Sequence, residues 1–180
     1  MHSVTVVAYD PEWPATFERL RAALWPAVAD LAVAIEHVGS TSVPGLAAKP
    51  IIDLDVVVPS RAEVPETVGR LTALGYDHRG DLGIEGREAF RAPHGAPAHH
   101  LYVCRSDAPS LANHLALRDF LRAHPERAQA YGALKMRLAR AFAHDVDAYG
   151  AGKTEFVVAI LREAGIPPEH LEGIERANRI

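Results

Sequence analysis

The chain has 180 residues, of which 48% are apolar and 23% charged, and a formal net charge of −4. That length suggests one domain with a full hydrophobic core, and the acidic balance argues against a general nucleic-acid surface, which carries a basic face. The single cysteine, Cys104, allows no internal disulfide, no apolar run nears the roughly 20 residues that span a bilayer, and the opening MHSVTVVAYDPEW lacks the basic and apolar regions of a secretory signal. These features lead us to expect a cytoplasmic protein without a membrane anchor.

Val4 to Tyr9 is β-branched and weakly alternating, which predicts a first strand or an extended lead-in. Asp10 and Pro11 then predict a helix start, with Asp as N-cap and Pro at the first helical position. Trp13, Phe17, Leu20, Leu24, Val28 and Leu31 recur at three- and four-residue steps and give that helix one buried stripe. Pro26 inside the pattern predicts a kink or a break. Ala32 to Val38 and Ile51 to Val58 read as strands. Ser60 caps an expected helix from Ala62 to Leu74, and Gly75 ends it. Tyr76 to Gly86 reads as a short strand and a loop. Glu88 to Ala92 and Ala98 to Cys104 read as a hairpin around Pro93 to Pro97. Three helices are expected next: from Ser110 to just before Pro125, from Pro125 to His144, and from Gly152 to Ala164. Strands gathered in the first 104 residues, followed by helices, predict an α+β fold. The expected organisation is a single domain over residues 1–165 and a charged tail over 166–180.

The densest chemistry lies in EHVGSTSVPGLAAKPIIDLDVVV, Glu36 to Val58. Glycine permits a tight turn and close backbone approach to a ligand, and successive N–H groups there can hold an anion. Residues i and i+2 of a strand share a face, so Asp53 and Asp55 project together while Ile52, Leu54 and Val56 point into a core. Strand interiors disfavour aspartate, so two on one face of an apolar run call for a reason. Two carboxylates beside an anion-friendly turn suit a hard divalent cation carrying a phosphate.

HVGSTSVPGLAAKPIIDLDVVV resembles the signature of GrpB-type proteins, a branch of the nucleotidyltransferase superfamily. That superfamily pairs a Gly-Ser turn with two acids spaced i, i+2 on a following strand, here Val38-Gly39-Ser40 and Asp53-Leu54-Asp55. The resemblance extends to YDPEWPATF, HHLYV, LALRDFLRAHPERAQAYGALK and KTEFV, roughly residues 7 to 160. It implies a nucleotidyltransferase-like mixed β-sheet flanked by helices, with the C-terminal helices packed on the core. It also implies that Gly39, Ser40, Thr41 and Ser42 contact nucleotide phosphates, and that Asp53 and Asp55 bind Mg²⁺ or Mn²⁺. An NTP is the implied substrate.

The sequence departs from the superfamily at a third acid, which a neighbouring strand usually supplies. His99 to Cys104 offers His100 and Tyr102 instead, where GrpB-like chains read His-x-His. His100 is therefore carried as a catalytic candidate with Asp53 and Asp55; imidazole is a poorer Mg²⁺ ligand than carboxylate and a better one for Zn, Mn or Fe. Glu88 is an alternative third acid. Lys49, Arg118 and Lys153 lie in matching stretches and are phosphate-binding candidates, with Arg91 and Lys135 as further cations; His37, just before the turn, either serves the phosphate, directly or from beside it, or simply packs, and the first is preferred. The expected activity is nucleotidyl transfer to a small-molecule or protein acceptor. A non-catalytic nucleotide-binding module and a metal-dependent phosphoester hydrolase are the alternatives.

Overall fold

A computed structural model describes residues 3–171. The chain divides into two compact units. The first holds Pro11–Val38 and Ile51–Ala112, and the second Met1–Asp10, Gly39–Pro50 and Asn113–Ile180.

The Pro11–Val38 and Ile51–Ala112 unit is built on a five-stranded mixed sheet. Its strands are β1 (Ala34–Val38), β2 (Ile52–Val58), β3 (Asp77–His78), β4 (Arg87–Arg91) and β5 (His99–Arg105), in the spatial order β1-β2-β5-β4-β3. Only β2 and β5 run parallel; β1 with β2, β4 with β5, and β3 with β4 are antiparallel. The predicted β4–β5 hairpin is present. β2 turns Leu54 and Val56, both fully buried, to one face. α1 (Trp13–Val28) packs against β2, and α2 (Val64–Ala73) packs against β5. In α1, Trp13, Phe17, Leu20, Leu24 and Val28 of the expected stripe are buried, while Leu31 lies beyond the helix end and is half-buried. The helix starts later than expected, however: Glu12 is the N-cap, without a side-chain cap bond, and Pro14 takes the proline-tolerant first turn. Pro26 neither splits nor ends it, because only the last turn lies beyond it. Ser60 makes a complete capping box with Glu63, but the first turn after it, Arg61–Glu63, is 3-10 and the α-helix begins at Val64.

The other unit is helical: α3 (Pro109–Ala123), whose residues from Asn113 on belong here, α4 (Pro125–Ala141) and α5 (Val146–Glu163). Tyr131 stacks on Phe156, with ring centroids 5.2 Å apart, within a core that also holds Val43, Leu46, Leu121 and Ile160. α5 begins six residues before the expected Gly152, because Asp145 accepts the Ala148 N–H at 2.9 Å and sets the cap upstream of two glycines. Of the two readings of Val4–Tyr9, the extended lead-in holds and no strand forms there. Val7 makes one isolated bridge to Ala48, whose segment is flanked by Pro44 and Pro50, and proline cannot extend a ladder. The end of the expected tail, residues 172–180, lies outside the described residues. No helix of the described residues is long and apolar enough to cross a membrane.

In the sheet unit, the Pro97 carbonyl accepts from His99 Nδ1 at 2.7 Å, so Nε2 of the neutral ring accepts the Tyr76 hydroxyl at 2.8 Å. Burial, assisted by the neighbouring His100, holds the His99 pKa below its usual range, against the opposing pull of the Pro97 carbonyl. The unfolded chain then binds more protons at mildly acidic pH, so this group's contribution to stability falls as pH drops below the ordinary histidine pKa of about 6.5. Thermal unfolding between pH 7.5 and 5 is expected to show a steeper loss of Tm in the native chain than in His99→Gln. Urea unfolding checks the core: Leu54→Ala is expected to cost about 2–5 kcal/mol, and Ser60→Ala about 0.5–2 kcal/mol.

Candidate functional site

The acidic strand presents its chemistry on one sheet face. The parallel register sets Asp53 beside His100 and Asp55 beside Tyr102, so all four side chains project from the same side of the sheet. His100 Nδ1 donates to Asp53 Oδ1 at 2.8 Å. This bond fixes the carboxylate's orientation and leaves Nε2 as the second ring position. Asp53 is partly exposed, whereas Asp55 is fully buried. Asp53, Asp55 and His100 therefore share one sheet face, with His100 on the strand where the third acid was sought.

Two further groups on this face escaped the sequence reading. Glu36 on β1 is the register partner of Asp55, which brings a third carboxylate from the opposite neighbouring strand. The only signal was its even spacing from Val38 in a short strand. Arg87 on β4 lies opposite Cys104, and its guanidinium stands over the Tyr102 ring, 4.5 Å from the centroid. Burial, reinforced by the negative charge of Asp53 and opposed by Arg87, pushes the Tyr102 phenol up to about 12. Burial raises the Cys104 thiol as well, with Asp55 adding to it and a Ser110 hydrogen bond opposing. Tyr102 and Cys104 are therefore both neutral near pH 7.

Glu88 is not the third acid. Its register partner is Val103, which puts it on the opposite sheet face, and its carboxylate accepts from His78 Nε2 at 2.6 Å. His37 likewise pairs with Leu54 on the core side and stacks on Phe17, with centroids 4.6 Å apart. It packs in the core rather than at a phosphate.

The helical unit carries the Gly39 turn. Gly39 adopts φ 69° and ψ −172°, a conformation that a side chain disfavours, and opens the 3-10 turn Ser40–Ser42. Ser42 Oγ donates to the Gly39 carbonyl at 2.6 Å, and Arg122 grips the Ser42 carbonyl through Nε and Nη2 at 3.0 and 2.8 Å. Lys135, only 2% exposed, donates to Ser40 Oγ at 2.7 Å and sits 4.5 Å from the Tyr131 ring centroid. Lys135, one of the basic candidates, is thus placed on this turn. Its signal was its position among apolar helix neighbours, where lysine rarely sits. Thr41 is buried. Lys49 and Lys153 converge on another feature, the buried ring of Tyr149, at 5.6 and 4.5 Å. Arg118 Nε donates to Asp119 at 2.7 Å.

Among the described residues no three His, Cys, Asp or Glu side chains close into a metal cage. Two carboxylates on one strand face still fit a hard cation. Mg²⁺ is typically held by one or two carboxylates, with substrate phosphates and waters filling its other positions.

The family model for GrpB protein matches residues 3–163. The UPF0157 protein YqkA of Bacillus subtilis strain 168 is 36% identical over 158 residues, covering 86% of this chain and 45% of that protein. The chain thus spans under half the length of that relative. The glutamate-rich protein GrpB of Alkalihalophilus pseudofirmus is 31% identical, covering 89% of this chain and 95% of that one. The crystal structure of conserved protein GrpB from Enterococcus faecalis superposes with a TM-score of 0.80 at 36% identity, covering 89% of this chain and 96% of that one.

Proposed function

The chain belongs to the GrpB family, and from that premise we propose that it binds a nucleoside triphosphate with Mg²⁺ or Mn²⁺ and transfers the nucleotidyl group to a small-molecule or protein acceptor. The observation that carries this reading is the acidic face of β2: Asp53 oriented by His100, with Asp55 two residues on and Glu36 beside it. Asp53 and Asp55 are the cation ligands. When bound, the cation neutralises phosphate charge as the leaving group departs. Phosphate recognition falls to the Ser40–Ser42 turn, supported by the Lys135 ammonium on Ser40 and by Arg122 on Ser42. Lys49, Lys153 and Arg118 add positive charge in the same helical unit.

In the transfer itself an acceptor oxygen attacks the α-phosphorus, the bond to the pyrophosphate leaving group breaks, and the acceptor hydroxyl proton is released. Positioning and charge neutralisation supply most of the catalysis. The second reading, a nucleotide-binding module without transfer, is favoured by one observation. His100 and Tyr102 stand on β5, and the phenol of Tyr102 is held neutral there. Pyrophosphate release in the presence of a metabolite mixture separates the two.

Isothermal titration with ATP or CTP tests binding. Mg²⁺- or Mn²⁺-dependent binding is expected in the native chain and is expected to vanish in Asp53→Ala. His100→Ala, which frees the carboxylate without removing it, should weaken metal-dependent binding about tenfold. Lys135→Met should weaken nucleotide binding about 10- to 100-fold, the worth of a charge-assisted hydrogen bond. No binding by the native chain at millimolar nucleotide would sink the reading.

A further inference from the structure

A cavity of about 500 Å³ opens where β5 begins and β4 ends, lined among others by Arg79, Arg91, Leu82, Pro97, His100 and Tyr102. Its size suits a small metabolite. Most of its lining is apolar, and none of its lining residues is an aspartate or glutamate. Two of its wall residues are members of the acidic face, since His100 is bonded to Asp53 and Tyr102 is the register partner of Asp55. The cavity therefore borders the carboxylates assigned to the cation.

Its polar end is built from two arginines. Arg91 on β4 and Arg79 just after β3 both donate to one oxygen of Asp77, at 2.8 and 3.3 Å. Two guanidiniums meet a single carboxylate, which leaves one positive charge over, and each guanidinium has five N–H donors, of which one contact to Asp77 uses only a part. Their side chains are half or more exposed, so the pairing with Asp77 is weak and open to exchange. It holds the two forks near one point without saturating them, an arrangement suited to bidentate capture of a planar or tetrahedral anion. The apolar end carries a second oddity. Leu82 holds φ 50°, unusual for a leucine, and is 62% exposed. A ligand with an apolar body would cover that side chain.

We infer that this cavity is the acceptor site, and that the acceptor is a small molecule pairing an anionic group, phosphate or carboxylate, with an apolar body. The anion is taken by Arg79 and Arg91, and the body lies against Leu82 and Pro97. The rest of the acceptor extends along the wall formed by His100 and Tyr102. This inference rests on the nucleotidyl-transfer reading above. It adds the acceptor class, and it places discrimination in the loop between β3 and β4 and in the β4–β5 turn.

Titration of the full chain with phenyl phosphate, benzoate, inorganic phosphate and benzyl alcohol tests it. Phenyl phosphate or benzoate is expected to bind at least tenfold more tightly than inorganic phosphate and than benzyl alcohol, and the stronger of the two names the anion. The double variant Arg79→Ala/Arg91→Ala should lose at least tenfold in that affinity, and Leu82→Asp should lose as much by a different route. All three positions are exposed, so an unchanged Tm is expected to show that the variants fold. Asp53→Ala should retain phenyl phosphate, and saturating Mn²⁺–ATP should not displace it. Unchanged affinity in the double variant, displacement by the nucleotide, or equal binding of inorganic phosphate would each overturn the proposal. If Mn²⁺–ATP fails to bind while phenyl phosphate still binds through the arginines, the transfer reading and the acceptor role fail together. If Mn²⁺–ATP binds and phenyl phosphate does not, only the acceptor site fails.

Discussion

The parallel pairing of β2 with β5 is the constraint from which the sheet unit's chemistry follows. Parallel strands cannot be joined by a tight turn and need a long crossover, and here the chain between them supplies α2, β3 and β4. Because the register sets Asp53 beside His100, a slip of one residue would turn both aspartates into the core and bring Leu54 out. Burial of Ile52, Leu54 and Val56 on the helix-covered side opposes that slip. At about 25 cal/mol per Å² of apolar surface removed from water, three such side chains contribute several kcal/mol to holding it. The hydrophobic pattern of one face therefore fixes the placement of polar groups on the other.

The same alternation explains which site residues were legible in the sequence. Asp53 and Asp55 were readable because two acids in an apolar β-branched run violate strand preference, and such violations tend to mark functional positions. His100 followed from the next suitable strand. Glu36 and Arg87 were not readable, because their relevance depends on sheet order. A five-residue strand gives no hint that the register partner of Glu36 will be Asp55, and nothing local pairs Arg87 with a tyrosine ring fifteen positions on. Glu88 as the alternative third acid and His37 at a phosphate fail for the converse reason, and for His37 the packing alternative holds. Each is close in sequence to a functional stretch, and the two-residue period sends each to the other face.

Element existence was more legible than element limits. The α1 stripe, the β2 alternation and the Ser60 capping box each rest on local rules that tertiary packing did not override. Val4–Tyr9 stays an extended lead-in rather than a strand because strand propensity needs a partner edge, and the prolines flanking Ala48 deny one beyond a single bridge. The start of α5 was missed because Gly150 and Gly152 outweighed Asp145 in a propensity reading. In the folded chain the cap supplies a backbone partner, while each glycine costs only about 1 kcal/mol.

Lys135 illustrates how a buried charge constrains a function without defining it. Removing an ammonium from water is costly unless hydrogen bonds and charge replace its hydration. At 2% exposure, this one donates to a serine hydroxyl and lies 4.5 Å from an aromatic ring centroid. The group it serves, Ser40, follows a glycine whose φ and ψ are open to few other residues. A turn that only glycine adopts readily and a buried cation meet at that one hydroxyl, and this is the combination on which the anion-binding proposal for the turn rests.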